Sequence, residues 1–257
     1  MEIFNQNGEM IRKISSKSDD FEACAKGNED QRSPISFSHP STKQGYNQWV
    51  WNLRRTPLNC IENVMLFGGW NGARVMPGNY TVKMTAGDES QTRAFVIKPD
   101  PREEADPAQL AKVEQGIQTS ESILNDMMGY LQKARNVREQ LTHLQANNAI
   151  EISELSPVID AVLAEIDQWE SLVVQPKHQT FEDDINWPNM LDRQVRFLMD
   201  NIDRTGAPIQ TGSLARLEDL QAQWQGYKQT LDALFVNQIE ALNQSLNEKK
   251  IRHLDSL

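Results

Sequence analysis

The sequence predicts an α+β protein of two parts, an antiparallel β-sandwich followed by an all-α antiparallel helical bundle. Most of the 13 glycines precede residue 100, together with short runs in which apolar and polar residues alternate. Long runs rich in Leu, Gln, Ala and Glu follow. This change of composition is typical of a β module joined to an α module. We therefore predict two domains, residues 1–102 and residues 103–257.

The first domain opens with a predicted hairpin. Residues 2–4 and 10–14 flank the dipeptide Asn7-Gly8. Asn-Gly favours a hairpin turn because both residues tolerate positive φ. Residues 15–45 are polar throughout and predict a long loop.

Three further segments are predicted to be strands. Aromatic and polar residues alternate over residues 46–54, and apolar residues alternate with polar ones over residues 80–85 and 92–97. Pro77-Gly78 predicts a tight turn before the second of these segments, since proline presets φ and glycine accepts the positive φ that follows. Together the segments indicate an antiparallel meander of the sandwich type.

The second domain is predicted to be helical because apolar residues recur at near-heptad spacing. Packing these apolar stripes against one another in a bundle is the simplest way to bury them. The predicted helices extend from Pro107 to Asn147-Asn148, from Ser156 (as N-cap) and Pro157 to Pro176, from Pro188 to Gly206-Ala207-Pro208, and from about Leu214 to Leu246.

Composition and charge exclude several functions. The chain has 26 Lys and Arg against 36 Asp and Glu, a formal net charge of -10, so we expect no nucleic-acid partner and no anionic membrane partner. No apolar stretch approaches the roughly 20 residues that cross a bilayer, and the first residues lack the apolar core of a signal peptide. Four scattered histidines make no metal-site pattern, and we assign no metal or cofactor. Cys24 and Cys60 are equally compatible with one disulfide and with two free thiols.

Two sets of residues are candidates for chemistry. Asp183-Asp184 is a carboxylate pair, but adjacent side chains point apart, so a solvated helix-capping role is favoured and no catalytic residue is assigned. Trp49, Trp51 and Trp70 are candidate contacts for a carbohydrate or a partner protein, since sugars stack on flat rings. The competing interpretation is that these rings pack across strands, as aromatic residues on alternating strands usually do.

Several motifs of the chain resemble one family in their order. Trp51-Asn52-Leu53-Arg54 is similar to the Trp-Asp-Leu-Arg strand of large BNR-repeat, sortilin-like proteins of the glycosyl-hydrolase type, with Asn52 in place of the usual Asp. The residues that we assign to structural motifs on this resemblance are Asn52, Arg54, Pro77, Gly78, Tyr80, Asp100, Pro101 and Arg102. Asn186-Trp187-Pro188 and Asn243-Gln244-Ser245-Leu246 resemble motifs of the helical tail of that family.

The resemblance implies an Ig-like module of the flagellar hook-capping type and a helical tail, which in the family follow a β-propeller. The hydrolase site is expected on that propeller, which these residues do not contain, so no catalytic residue is carried over. The implied function is a non-catalytic accessory region that supports or positions the propeller and contacts partner proteins. The alternatives are a carbohydrate-binding module, a helical protein–protein adaptor, and a hydrolase whose site the sequence does not reveal. Proteins of this family are commonly exported, but the sequence assigns no location.

The resemblance also implies a strand ahead of residues 2–4, so we expect the sandwich to be incomplete at its N-terminus. A strand without its neighbour presents unpaired N–H and C=O groups that recruit another strand. We therefore expect residues 2–4 to form an open edge, so that the chain either self-associates through the β module or is markedly less stable there than in the helices.

Overall fold

A computed structural model describes residues 1–27, 38–102, 106–147, 152–204, 209–249, 251 and 254 of the chain. The protein contains a four-stranded antiparallel sheet and a set of helices. The mixed content predicted from the sequence is therefore confirmed. The helices of the described part include none that is long and apolar enough to cross a membrane.

The sheet is built from two hairpins. The strands are β1 (Glu2–Asn5), β2 (Met10–Lys13), β3 (Gly78–Ala86) and β4 (Glu89–Ile97), in the order β2-β1-β3-β4. Gly8, with φ of +80°, forms the turn of the first hairpin, and Gly87, with φ of +61°, forms that of the second. The predicted hairpin and the strands predicted over residues 80–85 and 92–97 are confirmed. The described strands make one sheet, so the second sheet of a sandwich stays a prediction.

The first strand is not an edge of this sheet. β1 pairs with β2 on one side and with β3 on the other. The expectation that residues 2–4 present an open edge is therefore wrong, because β3, which is distant in sequence, supplies the neighbour. The outer strands are β2 and β4. Self-association itself stays a prediction.

Residues 46–54, predicted to be a strand, have no regular secondary structure apart from a single bridge between Arg54 and Arg74. The backbone N–H of Arg54 donates to Oδ1 of Asn52 (3.2 Å), and Leu53 has φ of +58°. A local side-chain bond of this kind replaces the ladder bonds that a strand needs. The predicted loop 15–45 contains a short helix, α1 (Asp20–Gly27), and its residues 28–37 lie outside the described residues.

The remaining helices follow the predicted stripes. They are α2 (Pro107–Asn147), α3 (Ser156–Val173), α4 (Leu191–Arg204), α5 (Thr211–Leu234) and α6 (Glu240–Glu248), and a π-helical turn (Phe235–Ile239) joins the last two. At 41 residues, α2 is about 60 Å long. Contacts connect α2 with α3, α4 and α5.

Helix ends differ slightly from the predicted ones. The N-cap position of α3 is Leu155 rather than Ser156. The third helix begins at Leu191, three residues after Pro188, where the side-chain amide of Gln194 donates to the carbonyl of Asn189 (3.2 Å). The predicted breaker at residues 206–208 lies outside the described residues.

The core has two clusters. The smaller one lies on the sheet and includes Ile3, Ile11 and Tyr80, with Trp49 and Trp51 packed against it. The larger one joins the apolar stripes of the helices to side chains of the loop between β2 and β3, namely Leu58, Ile61, Val64, Leu66, Trp70 and Ala73. This loop therefore contributes to the helical core. The domain division at residue 102 stays a prediction.

Cys24 of α1 and Cys60 of the loop form a disulfide, with their Cα atoms 6.0 Å apart. The structure thus decides between the two alternatives that the sequence left open. The bond attaches α1 to the loop segment that packs against the helices.

Candidate functional site

The three candidate tryptophans do not share one surface. Trp70 is 2% exposed and lies in the helical core. The indole N–H of Trp51 donates to the carbonyl of Arg54 (2.9 Å), and its ring meets Tyr80 and Phe95 edge-on. These two rings therefore pack within the protein.

Trp49 is half-buried and differs from the other two. Its indole N–H donates to the carbonyl of Ser38 (3.0 Å), and its side chain forms part of the lining of a large groove. Of the three candidate rings, Trp49 is the one that meets this groove.

The groove, which we call the Trp49 groove, has a volume of about 1250 Å³. Its lining includes residues of β2 and α1, together with Trp49 and Val50. Residues 56–63 and, from α2, Gln132 and Arg135 also line it. The sequence could not predict this groove because its residues come from segments more than 100 positions apart.

The lining of the Trp49 groove contains both acidic and basic side chains. Two of them, His39 and Glu22, are in contact, with Nε2 and Oε2 2.8 Å apart. The side-chain amides of Asn63 and Asn71, which also line the groove, form no hydrogen bond within the described part of the chain. Burial lowers the pKa of Arg12, and the nearby Asp19 opposes that shift. An aromatic ring beside unoccupied amides is suited to a neutral ligand with many hydroxyl groups.

The motif residues lie at structural positions. The guanidinium of Arg54 donates to the carbonyl of Gly72 (2.9 Å). Tyr80 donates its hydroxyl hydrogen to the carbonyl of Met76 (2.6 Å). These contacts tie the start of β3 to the preceding loop. The predicted tight turn with Gly78 at positive φ is wrong, because Gly78 is the first residue of β3 and does not have the positive φ of Gly8 and Gly87.

Asp100, Pro101 and Arg102 form a local unit after β4. The guanidinium of Arg102 donates to both carboxylate oxygens of Asp100, at 2.9 and 2.6 Å. Hydrogen bonds from Arg102 lower the pKa of the Asp100 carboxyl. Both oxygens of the Asp100 carboxylate therefore accept hydrogen bonds from Arg102.

Asp183 and Asp184 have different partners. Asp183 accepts backbone hydrogen bonds from Gln179 and Thr180, each 2.9 Å, at the start of a 3₁₀ turn (Phe181–Ile185). These bonds lower the pKa of Asp183. Asp184 contacts Arg193. Asp183 therefore caps a helical turn, as the helix-capping interpretation expected, whereas Asp184 is not solvated in the way expected, because its Oδ1 atom is buried.

Arginines of the helices bind the loop between β2 and β3 through its backbone carbonyls. Arg193 donates to Met65 (2.9 Å), and Arg196 donates to Gly68 (2.7 Å) and Gly69 (2.8 Å). Both arginines are almost fully buried. Bonds from a charged donor to carbonyls are stronger than neutral ones. We call these contacts, and those in the next paragraph, the loop clamp.

Arginines of the loop also bind carboxylate groups of the helices. Arg55 binds Glu114 (2.6 Å) and Glu121 (3.0 Å) of α2, while Arg54 and Arg74 lie 3.7 Å from the carboxylate of Asp203 in α4. Burial raises the pKa of Glu121, and the Arg55 charge opposes this shift. Sequence reasoning missed the clamp because its partners, such as Arg55 and Glu121, have no periodic relation in sequence.

Asp192 is a carboxyl group that sequence reasoning also missed. It lies in the first turn of α4 and is 1% exposed. Its Oδ1 atom accepts no hydrogen bond from the described residues. Burial raises the pKa of Asp192 to about 7, although backbone N–H groups of Arg193 and of Asp192 itself oppose the shift.

Comparison with known proteins finds no relative. No family model, no curated protein and no solved structure matches the chain. The resemblance to BNR-repeat, sortilin-like proteins therefore rests on the sequence motifs alone. Within the described residues, no cluster of three or more His, Cys, Asp or Glu side chains has the arrangement of a metal site.

Proposed function

We propose that the chain is a non-catalytic accessory region that supports or positions the β-propeller of a BNR-repeat, sortilin-like protein of the glycosyl-hydrolase type and contacts partner proteins. The observation that carries this proposal is the loop clamp. The loop between β2 and β3 packs into the helical core and is bonded to α2 and α4 by charged groups. The same loop is bonded to β2, where Arg12 donates to the carbonyl of Arg55 and Thr56 donates to that of Ile11. A loop bonded to both the sheet and the helices suits a role in positioning another domain.

The same proposal extends to the finer fold. We assign the sheet to an Ig-like β-sandwich and the helices to an antiparallel bundle. Support for the first assignment comes from the antiparallel pairing of β1 to β4 and from the packing of Trp51, Tyr80 and Phe95 on one face of the sheet. The Cys24–Cys60 disulfide supports an oxidising compartment, as for exported proteins.

The surface that we expect to contact a propeller is the segment 46–53, which has three exposed apolar side chains. Tyr46 is 90% exposed, Val50 74% and Leu53 41%. Exposed apolar side chains mark interaction sites when they form a contiguous patch. The segment directly precedes Arg54 and Arg55 of the loop clamp, so a domain bound there would be attached close to the contacts that hold the loop to the helices.

Calorimetric titration with a recombinant BNR-repeat propeller domain tests this function. We expect binding that Tyr46→Ser combined with Val50→Ser weakens strongly. Val236→Ser is the matched control, because Val236 is 70% exposed on the π-helical turn far along the sequence. Absence of binding, or equal loss in the control, would contradict the proposal.

A carbohydrate-binding module is the second candidate, favoured by the Trp49 groove. The observation in its support is the half-buried Trp49 ring in a groove that also contains the side chains of Asn63 and Asn71. Binding to a glycan array should be lost in Trp49→Ala and reduced in Asn71→Ala. Tyr46→Ala, outside the groove lining, serves as the control for a general effect of removing an aromatic side chain. If no glycan binds, this candidate is wrong.

A further inference from the structure

β4 is an outer strand of the sheet. It pairs with β3 without a break in register, from Gly78–Ile97 to Ala86–Glu89. Within the described residues no strand pairs with its other side. Its residues 89–94 are all exposed.

The direction of the backbone groups in the sheet follows from the first hairpin. Met1 exchanges two backbone hydrogen bonds with Ile14, each 2.8 Å, and therefore bonds towards β2. Successive residues of an antiparallel strand bond alternately to the two sides. Glu2 consequently bonds to its partner Lys83 in β3.

The same alternation continues into β4. Since Lys83 bonds to β1, its neighbour Val82 bonds to Arg93 of β4, and Tyr80 bonds to Phe95. The intervening residues of β4 direct their backbone N–H and C=O groups away from the sheet. These residues are Ser90, Thr92, Ala94 and Val96.

The opposite edge of the sheet, β2, is occupied at Ile11. On β2, the outward carbonyl of Ile11 accepts hydrogen bonds from both the backbone N–H and the hydroxyl of Thr56, each 2.9 Å. Pairing of β4 with β2 of another copy would have to displace this contact. A head-to-tail chain of copies is therefore disfavoured, and a closed two-fold arrangement of β4 with β4 is left.

The β4 edge has few of the features that keep edge strands apart. Natural edges are short, bulged, interrupted by Pro or protected by charged side chains, especially Lys, and the charged residues of β4 are Glu89 and Arg93. β4 has nine residues, an unbroken register and neither Lys nor Pro, while Thr92, Phe95, Val96 and Ile97 all favour extended structure. Asp88 and Glu89 lie at the start of β4, and Lys98 follows its end. If two β4 strands paired antiparallel, the acidic end of one would lie next to the basic end of the other.

We infer that β4 pairs antiparallel with β4 of a second copy of this chain, about a two-fold axis at Ala94. Thr92 then faces Val96 of the second copy, and Arg93 faces Phe95. An axis at Arg93 would instead place two guanidinium groups opposite each other, which is destabilising. The Ala94 register also brings Lys98 diagonally next to Asp88 of the second copy.

Sedimentation velocity across a wide concentration range tests this pairing. The wild type should form a dimer, and Ala94→Pro should weaken it by about tenfold or more, because proline removes an outward donor at the centre of the interface. The monomer tolerates this change, since the Ala94 N–H bonds to nothing in β3 and proline favours an extended preceding residue. Ala94→Val, which keeps the N–H, should dimerise like the wild type.

Two further measurements keep the inference falsifiable if Ala94→Pro does not fold. Thr92→Lys adds an edge charge without changing the backbone and should also weaken the dimer, whereas Thr92→Val should not. Amide hydrogen exchange at Thr92, Ala94 and Val96 should slow as concentration rises, while exchange at Arg93 and Phe95 stays constant. A monomer at every concentration, a dimer unaffected by both variants, or protection that arises elsewhere would overturn the inference.

Discussion

At the scale of single residues, Asp192 shows how burial couples stability to pH. Burial raises the pKa of Asp192 in the folded chain to about 7, from its ordinary value of 3.8. The folded state therefore holds this proton more tightly than the unfolded state does. This contribution to stability is fully present below the unfolded pKa and is lost as pH rises from there to the folded pKa of about 7, by up to about 4 kcal/mol.

Asp192→Asn should therefore raise the free energy of unfolding at pH 8 and change it little at pH 4. Urea denaturation of the wild type and the variant at both pH values measures the difference. Asp219→Asn is the charge-matched control, because Asp219 is 71% exposed. An equal effect of Asp192→Asn at the two pH values would contradict the shifted pKa.

Arg196 is expected to be a major contributor to the loop clamp. Arg196→Met leaves the carbonyls of Gly68 and Gly69 without their charged donor and should destabilise the fold by about 2–4 kcal/mol. Arg216→Met is the control, since the Arg216–Asp219 pair is exposed and should contribute less than about 1 kcal/mol. Thermal unfolding of both variants gives the comparison. Similar melting temperatures for the two would show that the clamp contributes little.

At the scale of elements, the sequence is informative wherever a periodic pattern determines the structure. The apolar stripe from Val113 to Leu144 predicted α2, because one face of that helix is buried along its length. The alternation over residues 46–54 predicted a strand that does not form, since a bond between Asn52 and Arg54 turns the chain locally. A periodic pattern of apolar residues shows which face of an element is buried. It does not show a local side-chain hydrogen bond, such as that between Asn52 and Arg54, that interrupts the element.

The disulfide joins two elements that sequence patterns could not connect. It links positions separated by 36 residues, so a chain-entropy argument assigns it about 3–4 kcal/mol of stability. A reducing agent should lower the melting temperature of the wild type. In the double variant Cys24→Ser/Cys60→Ser the agent should have no effect. Two thiols that react in the unreduced, unfolded protein would show that the bond is absent.

At the scale of the whole molecule, the Trp49 groove and the β4 edge show what sequence reasoning lacked. Both depend on contacts between distant segments: the groove brings β2 beside α2, and the pairing of β1 with β3 determines which strand is outermost. Of the candidate tryptophans, Trp49 lines the groove and Trp70 fills the helical core, and contact of Trp49 with a ligand stays a prediction. A single sequence carries no direct signal for such pairings.

The loop clamp leads to a prediction for the whole chain. Trypsin should cleave after Arg102, whose side chain is 86% exposed, before it cleaves within the buried stripe of α2. Because loop side chains such as Leu58 and Trp70 lie in the helical core, the two fragments should elute together in native size-exclusion chromatography and separate only in denaturant. The Cys24–Cys60 bond lies within one fragment and cannot hold them together.

Two variants serve as controls for this experiment. Arg102→Gln should block the cleavage, and Arg196→Met should make the fragments separate more readily. Independent elution of the wild-type fragments would show that the clamp and the shared core do not join the two parts.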